Sequence, residues 1–172
     1  MRMVLWAVLV LVSLIVLVTV IGWLLPRDHV ATRMGRYRQP PEAIWKAITD
    51  VDAMPSWRNG LKSVEHLPDR NGLPVHLEVT GDGKIPFETV EMRPPQKLVT
   101  RIADPNLPFG GTWTYEIAPV ADGATLRITE NGYVTNPFFR FMSGFVFSQT
   151  STMETYLKSL AKKFGEEPRI GE

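Results

Sequence analysis

The segment from Asn136 to Gly165 constrains the fold most, because it predicts one long amphipathic helix. Asn136-Pro137 is typical of a helix start, since Asn can cap free N–H groups and Pro fits the first turn. Gly165 predicts the helix end. The helix would contain about 28 residues and extend about 40 Å. Residues at steps of three and four form one face that is almost entirely apolar: Phe138, Met142, Phe145, Gln149, Met153, Tyr156, Leu160 and Phe164.

A helix of this length must pack against something equally long, and the preceding chain predicts strands. Apolar and polar residues alternate between turn signals such as Gly81-Asp82-Gly83 and Asp122-Gly123. One polar face per strand is typical of a half-buried antiparallel sheet. About seven strands are predicted: His29–Tyr37, Leu61–Leu67, Pro74–Thr80, Ile85–Arg93, Lys97–Ala103, Thr112–Ile117 and Ala124–Tyr133. The alternation also predicts that His76 faces outward.

Two short helices are predicted between the first two strands. Pro41 opens the first, which continues to Ile48. Asp52 is the expected cap of the second, which carries Met54 and Trp57. The element order is therefore one strand, two short helices, about six strands and a long helix.

The N-terminal segment predicts a membrane anchor. Met3–Leu25 contains 23 residues without a charge, enough to cross a hydrocarbon core of about 30 Å, and Trp6 and Trp23 lie near its ends. A cleaved signal peptide is the alternative, but the segment has little preceding charge and no Ala-x-Ala-like site. Four arginines between residues 27 and 38 favour a cytoplasmic domain, and the opposite side stays open.

The domains expected are an anchor at 1–26, one globular domain at 27–165 and a polar tail at 166–172. The absence of Cys excludes disulfides, thiolate catalysis and cysteine-ligated metals. A net charge of +1 with interspersed signs gives no nucleic-acid-binding surface. The three His residues lie on separate segments without metal-ligand spacing, so we predict no metal and no cofactor.

Several stretches of this chain resemble the START/Bet v 1-like (SRPBCC) superfamily, and within it the polyketide cyclase/dehydrase-like group. The resemblance extends over about Arg27 to Gly165 and is carried by Pro41–Asp50, Met54–Arg58, Met92–Leu98, Thr112–Ile117 and Gly123–Glu130. It implies an α+β helix-grip fold, in which a curved antiparallel sheet surrounds the C-terminal helix and leaves an apolar cavity. Proteins of this superfamily bind lipids, sterols, polyketides or hormones, or bind protein partners, and some catalyse cyclisation or dehydration.

The pleat of the strands predicts which residues would face such a cavity, because alternate residues share a face. If Leu126 and Ile128 point inward, Glu130 does so too, and Val90 and Met92 likewise bring Glu88 inward. The alternative is that these side chains simply fill a core. The predicted ligand contacts are Trp57, Glu88, Val90, Met92, Trp113, Tyr115, Leu126, Ile128, Glu130, Phe138, Met142, Phe145, Gln149 and Met153.

Glu130 is the candidate catalytic residue. Burial would raise the pKa of its carboxyl group and suit it to acid–base chemistry. The alternatives are pairing with a nearby Arg, or a position at the open end of the strand where water reaches it.

The sequence favours a membrane-anchored protein that binds a hydrophobic small molecule or lipid. The alternatives are a cyclase- or dehydratase-like enzyme and a non-catalytic protein-interaction module. Phe109 and the aromatic residues that begin the long helix could gate a pocket, contact a bilayer or contact a protein partner, or the N-terminal anchor could pack on them.

Overall fold

The structure, a computed structural model, describes residues 2–145 and 150–171. Within them, the helices are α1 (Arg2–Leu24), α2 (Pro41–Thr49), α3 (Pro137–Phe145) and α4 (Ser151–Lys163), with a 3₁₀ helix at Val51–Ser56. The strands are β1 (Asp28–Tyr37), β2 (Leu61–Arg70), β3 (Leu73–Thr80), β4 (Lys84–Arg93), β5 (Lys97–Ile102), β6 (Phe109–Val120), β7 (Gly123–Val134) and β8 (Ile170–Gly171). The predicted α+β fold, with a large antiparallel sheet and a C-terminal helix, is confirmed.

The strands form one sheet in the order β2-β3-β4-β5-β6-β7-β1-β8, and the neighbouring strands are antiparallel. Seven strands are long. The eighth has two residues and pairs with Met34 and Gly35 of β1. The segment that was expected to be a polar tail therefore returns to the sheet and covers the outer edge of β1.

The hydrophobic core lies between the sheet and the helices α2 and α4. Ile44 and Ile48 of α2 and Leu157 and Leu160 of α4 are fully buried, because α2 turns its apolar face towards β6 and β7 and α4 packs on β1. Each such side chain contributes about 1.5–3 kcal/mol of burial free energy. The Tyr37 hydroxyl donates a hydrogen bond of 3.1 Å to the Leu157 carbonyl and fixes α4 on the sheet.

The prediction of one helix from Asn136 to Gly165 is wrong. The described residues form two helices, α3 and α4, and only α4 packs on the core. The helix start is as predicted, since Asn136 Oδ1 accepts a hydrogen bond of 2.9 Å from the Phe138 amide. The helix α3 packs on α1 through residues that include Pro137 and Phe141, while Phe138 and Phe145 of the predicted apolar face are exposed. A periodic apolar pattern therefore does not show which surface, if any, covers it.

The cap of the 3₁₀ helix lies two residues before the predicted one. Asp50, not Asp52, is the capping residue, and its carboxylate accepts a hydrogen bond of 3.2 Å from the Ala53 amide. The shift leaves Trp57 immediately after the helix and places Arg58 at the start of the turn into β2.

The helix α1 is a candidate membrane span. It is 23 residues long, its most apolar 18-residue window has a mean hydropathy of 3.2, and none of that window is buried against the rest of the protein. Length and hydropathy alone are shared by membrane anchors and N-terminal signal sequences.

Candidate ligand cavity

A cavity of about 880 Å³ lies between the sheet, the segment from the end of α2 to the start of β2, and the first turns of α4. Its apolar lining includes Ile48, Met54, Leu61, Ile85, Phe87, Met92, Leu98, Ile102, Phe109 and Trp113. Its polar lining includes Arg58, His76, Glu78, Thr80, Thr89, Thr100, Tyr115, Glu130, Thr155 and Tyr156. A cavity of this size, lined by both apolar and polar side chains, suits a small molecule.

A buried ion pair forms one wall of the cavity. The guanidinium group of Arg58 donates to the carboxylate of Glu78, and His76 Nε2 lies 3.6 Å from Glu78 Oε1. The imidazole of His76 stacks on the ring of Phe87 at 5.9 Å. The side chains of His76 and Glu78 are less than a tenth exposed, so solvent screens the pair weakly.

Both members of this pair are charged at neutral pH. Burial is the largest single influence on Arg58 and would lower its pKa, but the charge and hydrogen bond of Glu78 together with the neighbouring Tyr115 and Tyr156 raise it. Burial alone would raise the pKa of Glu78, but the hydrogen bond from His76 and the charge of Arg58 together lower it. The cavity wall therefore carries a fixed and nearly neutral charge pair.

Aromatic residues pack around Arg58 on the helix side of the cavity. The guanidinium carbon lies 5.2 Å from the ring centroid of Tyr156 on α4, a cation–π distance. Tyr156 also contacts Tyr115 and Trp113, with ring centroids 5.8 and 6.2 Å apart. Burial raises the pKa of Tyr115 and of Tyr156, so both phenols keep their protons. The Tyr156 hydroxyl has no hydrogen-bond partner among the described residues.

Four of the predicted ligand contacts line the cavity, namely Met92, Trp113, Tyr115 and Glu130. Contact between these residues and a ligand stays a prediction. Glu130 is not fully buried, since its side chain is 23 % exposed. Its Oε1 lies 3.5 Å from His29 Nε2, so the neighbouring side chain is a histidine, whereas one of the two alternatives was pairing with an arginine.

Other predicted contacts do not line the cavity. Leu126, Ile128 and Met153 are fully buried in the core, and Trp57 packs edge-on against Tyr156 outside the cavity. Three more, Phe138, Met142 and Phe145, belong to α3 and do not line the cavity either, because α3 packs on α1. Gln149 lies outside the described residues.

A β-bulge explains why Glu88 and Val90 do not line the cavity. Thr89 pairs with Thr100 while Glu91 pairs with Val99, so Val90 is an extra residue in β4. The bulge reverses the alternation, and Phe87, Thr89 and Met92 line the cavity. Val90 is exposed on the other face, where Glu88 accepts hydrogen bonds of 2.7 Å from Arg101 and 3.1 Å from Arg70. The Arg101 hydrogen bond contributes most to lowering the pKa of Glu88.

The prediction that His76 faces outward is also wrong. His76 pairs with Phe87 and Glu78 pairs with Ile85 across β3 and β4, and all four side chains line the cavity. The prediction for β3 assumes that the apolar residues of an alternating strand face the interior. That assumption holds for a packed core but not for a cavity with a polar wall. Sequence reasoning therefore missed His76, Glu78 and Arg58. One signal in the sequence could have found His76 and Glu78. Pairing of β3 with β4 across the Gly81-Asp82-Gly83 turn places these polar residues beside apolar residues of β4.

Comparison with known proteins agrees with this architecture. The family model described as "polyketide cyclase / dehydrase and lipid transport" matches residues 38–165. The chain belongs to this family. The match includes every strand from β2 to β7 together with α2, α3 and α4, and it excludes α1 and β1. A search of curated protein sequences found no match.

Solved structures of this family's fold are similar over most of the chain. Norcoclaurine synthase from Thalictrum flavum has a TM-score of 0.63 at 10 % identity, with 81 % of this chain and 88 % of that chain covered. The di-domain ARO/CYC StfQ of the steffimycin biosynthetic pathway has a TM-score of 0.60 at 14 % identity, with 81 % and 53 % covered. Protein MLL2253 from Mesorhizobium loti has a TM-score of 0.58 at 18 % identity, with 81 % and 97 % covered. At these identities the comparison shows the fold alone.

Replacing Glu78 by Gln tests the buried ion pair. The change leaves Arg58 buried without a counter-charge, so we expect the free energy of unfolding at pH 7 to fall by about 3 kcal/mol. Because the pKa of Glu78 lies below its ordinary value of 4.5 in the folded state, the wild-type pair stabilises the fold above that pH. The contribution is lost as acid protonates Glu78, and the difference between variant and wild type should shrink below about pH 4.5. Urea unfolding of the full chain in detergent across this pH range measures it.

Glu65→Gln is the matched control, because Glu65 forms an exposed pair with Lys84 at 3.1 Å. We expect this control to cost less than about 1 kcal/mol. Equal losses for the two variants would contradict a stabilising role for the buried pair.

Proposed function

We propose that this protein binds an amphipathic hydrophobic molecule, such as a lipid, at the surface of a membrane. The observation that carries the proposal is the cavity of about 880 Å³, which combines apolar and aromatic side chains with many polar and charged ones, the buried pair of Arg58 and Glu78 among them. Membership of a family described by cyclase, dehydrase and lipid-transport activities supports a role in hydrophobic-ligand binding or cyclisation. A third alternative, an interaction module without a ligand, does not explain why the fold keeps this space open.

The cavity suits a molecule with a long apolar part and a small neutral polar end. Removal of apolar surface from water contributes about 25 cal/mol per Å². The charges of Arg58 and Glu78 cancel at the cavity wall, so the wall favours a hydroxyl or carbonyl group over a full anion. A carbonyl would accept from Arg58 and a hydroxyl would donate to Glu78, with Tyr115 as a further donor.

The helix α1 would hold this cavity next to the bilayer as an uncleaved anchor at residues 1–26, followed by the ligand-binding domain at 27–165. Its length of 23 residues matches a hydrocarbon core of about 30 Å. The arginines that follow α1 favour a cytoplasmic position for the domain, next to anionic lipid head groups.

An enzyme of cyclase or dehydratase type is the second candidate. It is favoured by the ionisable groups that converge on the cavity, which include Arg58, His76, Glu78 and Glu130. Glu130 keeps its place as the candidate acid–base group, since it lines the cavity and has His29 beside it.

Filling the cavity tests ligand binding. Thr89 lines the cavity and Val90 lies on the outer face, so Thr89→Trp and Val90→Trp place the same side chain on opposite sides of β4. We expect Thr89→Trp to abolish recovery of bound molecules when the full chain is extracted from its own membrane and measured by native mass spectrometry. Val90→Trp should retain wild-type recovery. The binding proposal fails if wild type carries no molecule, or if both variants carry it equally.

Glu130→Gln separates binding from catalysis. The change keeps the size of the side chain and removes its acid–base capacity. For a binding protein, the mass of the molecule extracted from Glu130→Gln should equal the mass extracted from wild type. For a dehydratase, the variant should retain an unconverted substrate that is heavier than the wild-type product by one water. That second result would replace the binding proposal by the enzymatic one.

A further inference from the structure

The helix α3 packs closely against α1 and not against the core. Its first residue, Pro137, lies against Gly22, and a Cβ atom at Gly22 would overlap the Pro137 carbonyl oxygen. Gly22 is the buried residue of α1, and the side chains of α1 next to it, from Val18 to Ile21, are partly covered apart from exposed Val20. The absence of a side chain at Gly22 therefore permits the close approach of the two helices.

Hydrogen bonds join the C-terminal end of α1 to the N-terminal end of α3, and we call these two ends the roots of the helices. Arg140 on α3 donates from Nη1 to the Leu25 carbonyl at 3.2 Å and from Nη2 to the Thr135 carbonyl at 2.9 Å. The Val134 amide donates to the Arg27 carbonyl at 3.0 Å. Arg140 is the only charged residue of α3, and its guanidinium group is thus held by backbone carbonyls next to the end of α1.

The outer face of α3 is apolar and uncovered by any described residue. Phe138, Phe139 and Phe145 are 42, 49 and 65 % exposed, and Trp23 at the end of α1 is 70 % exposed. Exposed aromatic side chains in one cluster mark a surface that contacts a membrane or a protein. The cluster is continuous with α1, whose apolar side chains are exposed from Met3 to Leu17.

We propose that the Phe138–Phe139–Phe145 face of α3 inserts into the interface of the same bilayer that α1 spans. This inference rests on the proposed anchoring by α1. A bilayer is the occupant that fits, because α3 packs on the last two turns of α1, where a spanning helix leaves the hydrocarbon core. Aromatic residues and a lone arginine held at the root of the helices are typical of that depth.

The position of α3 also places one end of the cavity at the bilayer. The Thr135 amide and hydroxyl donate to the Pro108 carbonyl at 2.8 and 3.0 Å, so the start of β6 is fixed to the root of α3. The next residue, Phe109, lines the cavity and is also 36 % exposed, so it belongs to both the cavity wall and the outer surface. A hydrophobic molecule could then exchange between cavity and bilayer without crossing water.

Spin labels test the insertion directly, because the chain contains no Cys and single-cysteine variants need no background changes. The full chain is reconstituted in vesicles of equimolar phosphatidylcholine and phosphatidylglycerol, with a label at Phe139→Cys or Phe145→Cys. We expect oxygen to reach these labels more readily than a water-soluble nickel complex does. Val12→Cys, in the middle of α1, reports on the anchor. Asp122→Cys, in the β6–β7 turn at the far end of β7, is the aqueous control.

Each outcome decides one point. Nickel access at 139 and 145 equal to that at 122 overturns the insertion of α3, and a deep label at Val12 would then leave the anchor intact. Exclusion of both reagents at 139 and 145 shows coverage by protein and also overturns the proposal. An aqueous label at Val12 contradicts the anchor itself. Adding Gly22→Leu to Phe139→Cys should shift the label towards water, because the larger side chain separates α3 from α1.

Discussion

The cavity depends on the ion pair between Arg58 and Glu78. It joins the turn after the 3₁₀ helix to β3, and Arg58 also lies over Tyr156 of α4, so one side chain connects three walls. Two charges removed from water must stay paired, because the loss of one partner leaves the other uncompensated. Apolar side chains cannot fill the space over this wall without burying the polar atoms of His76 and Glu78 further, at a cost in free energy. The pair therefore gives the cavity one wall that is polar, charged and fixed in place.

The rest of the sheet adapts to that opening. The bulge at Val90 turns Thr89 and Met92 towards the cavity and leaves Glu88 outside with Arg70 and Arg101. On the other side, α4 and α2 pack tightly on β6, β7 and β1, where Leu126 and Ile128 are fully buried. The domain thus has a close-packed half that supplies stability and a hollow half that remains available for a ligand. The pair of α1 and α3 lies beyond the hollow half, at the end of the cavity marked by Phe109.

Local patterns predicted the elements well because turn residues and alternation act over short distances. The strands, Asn136 as a helix cap and Gly165 as a helix end, with φ +69°, follow from them. The inward direction of β3 did not follow, since an alternating strand has two faces and only the fold decides which one meets a cavity. The bulge in β4 has no local signal in the sequence, and it places Glu88 on the outer face of the sheet instead of in the cavity. The apolar periodicity of α3 did not identify its surroundings, since α3 packs on α1 and not on the core, and Phe138 and Phe145 of the predicted face stay exposed.

A crystal structure of the full chain, purified from its own membrane without exchange of its bound molecules, tests the central claim most directly. The account predicts continuous electron density for an elongated molecule within the cavity, with its polar end within hydrogen-bond distance of Arg58, Glu78 or Tyr115. A cavity filled by the protein's own side chains, with Arg58 and Glu78 turned to solvent, would contradict it. So would a bound molecule whose polar end lies away from this ion pair.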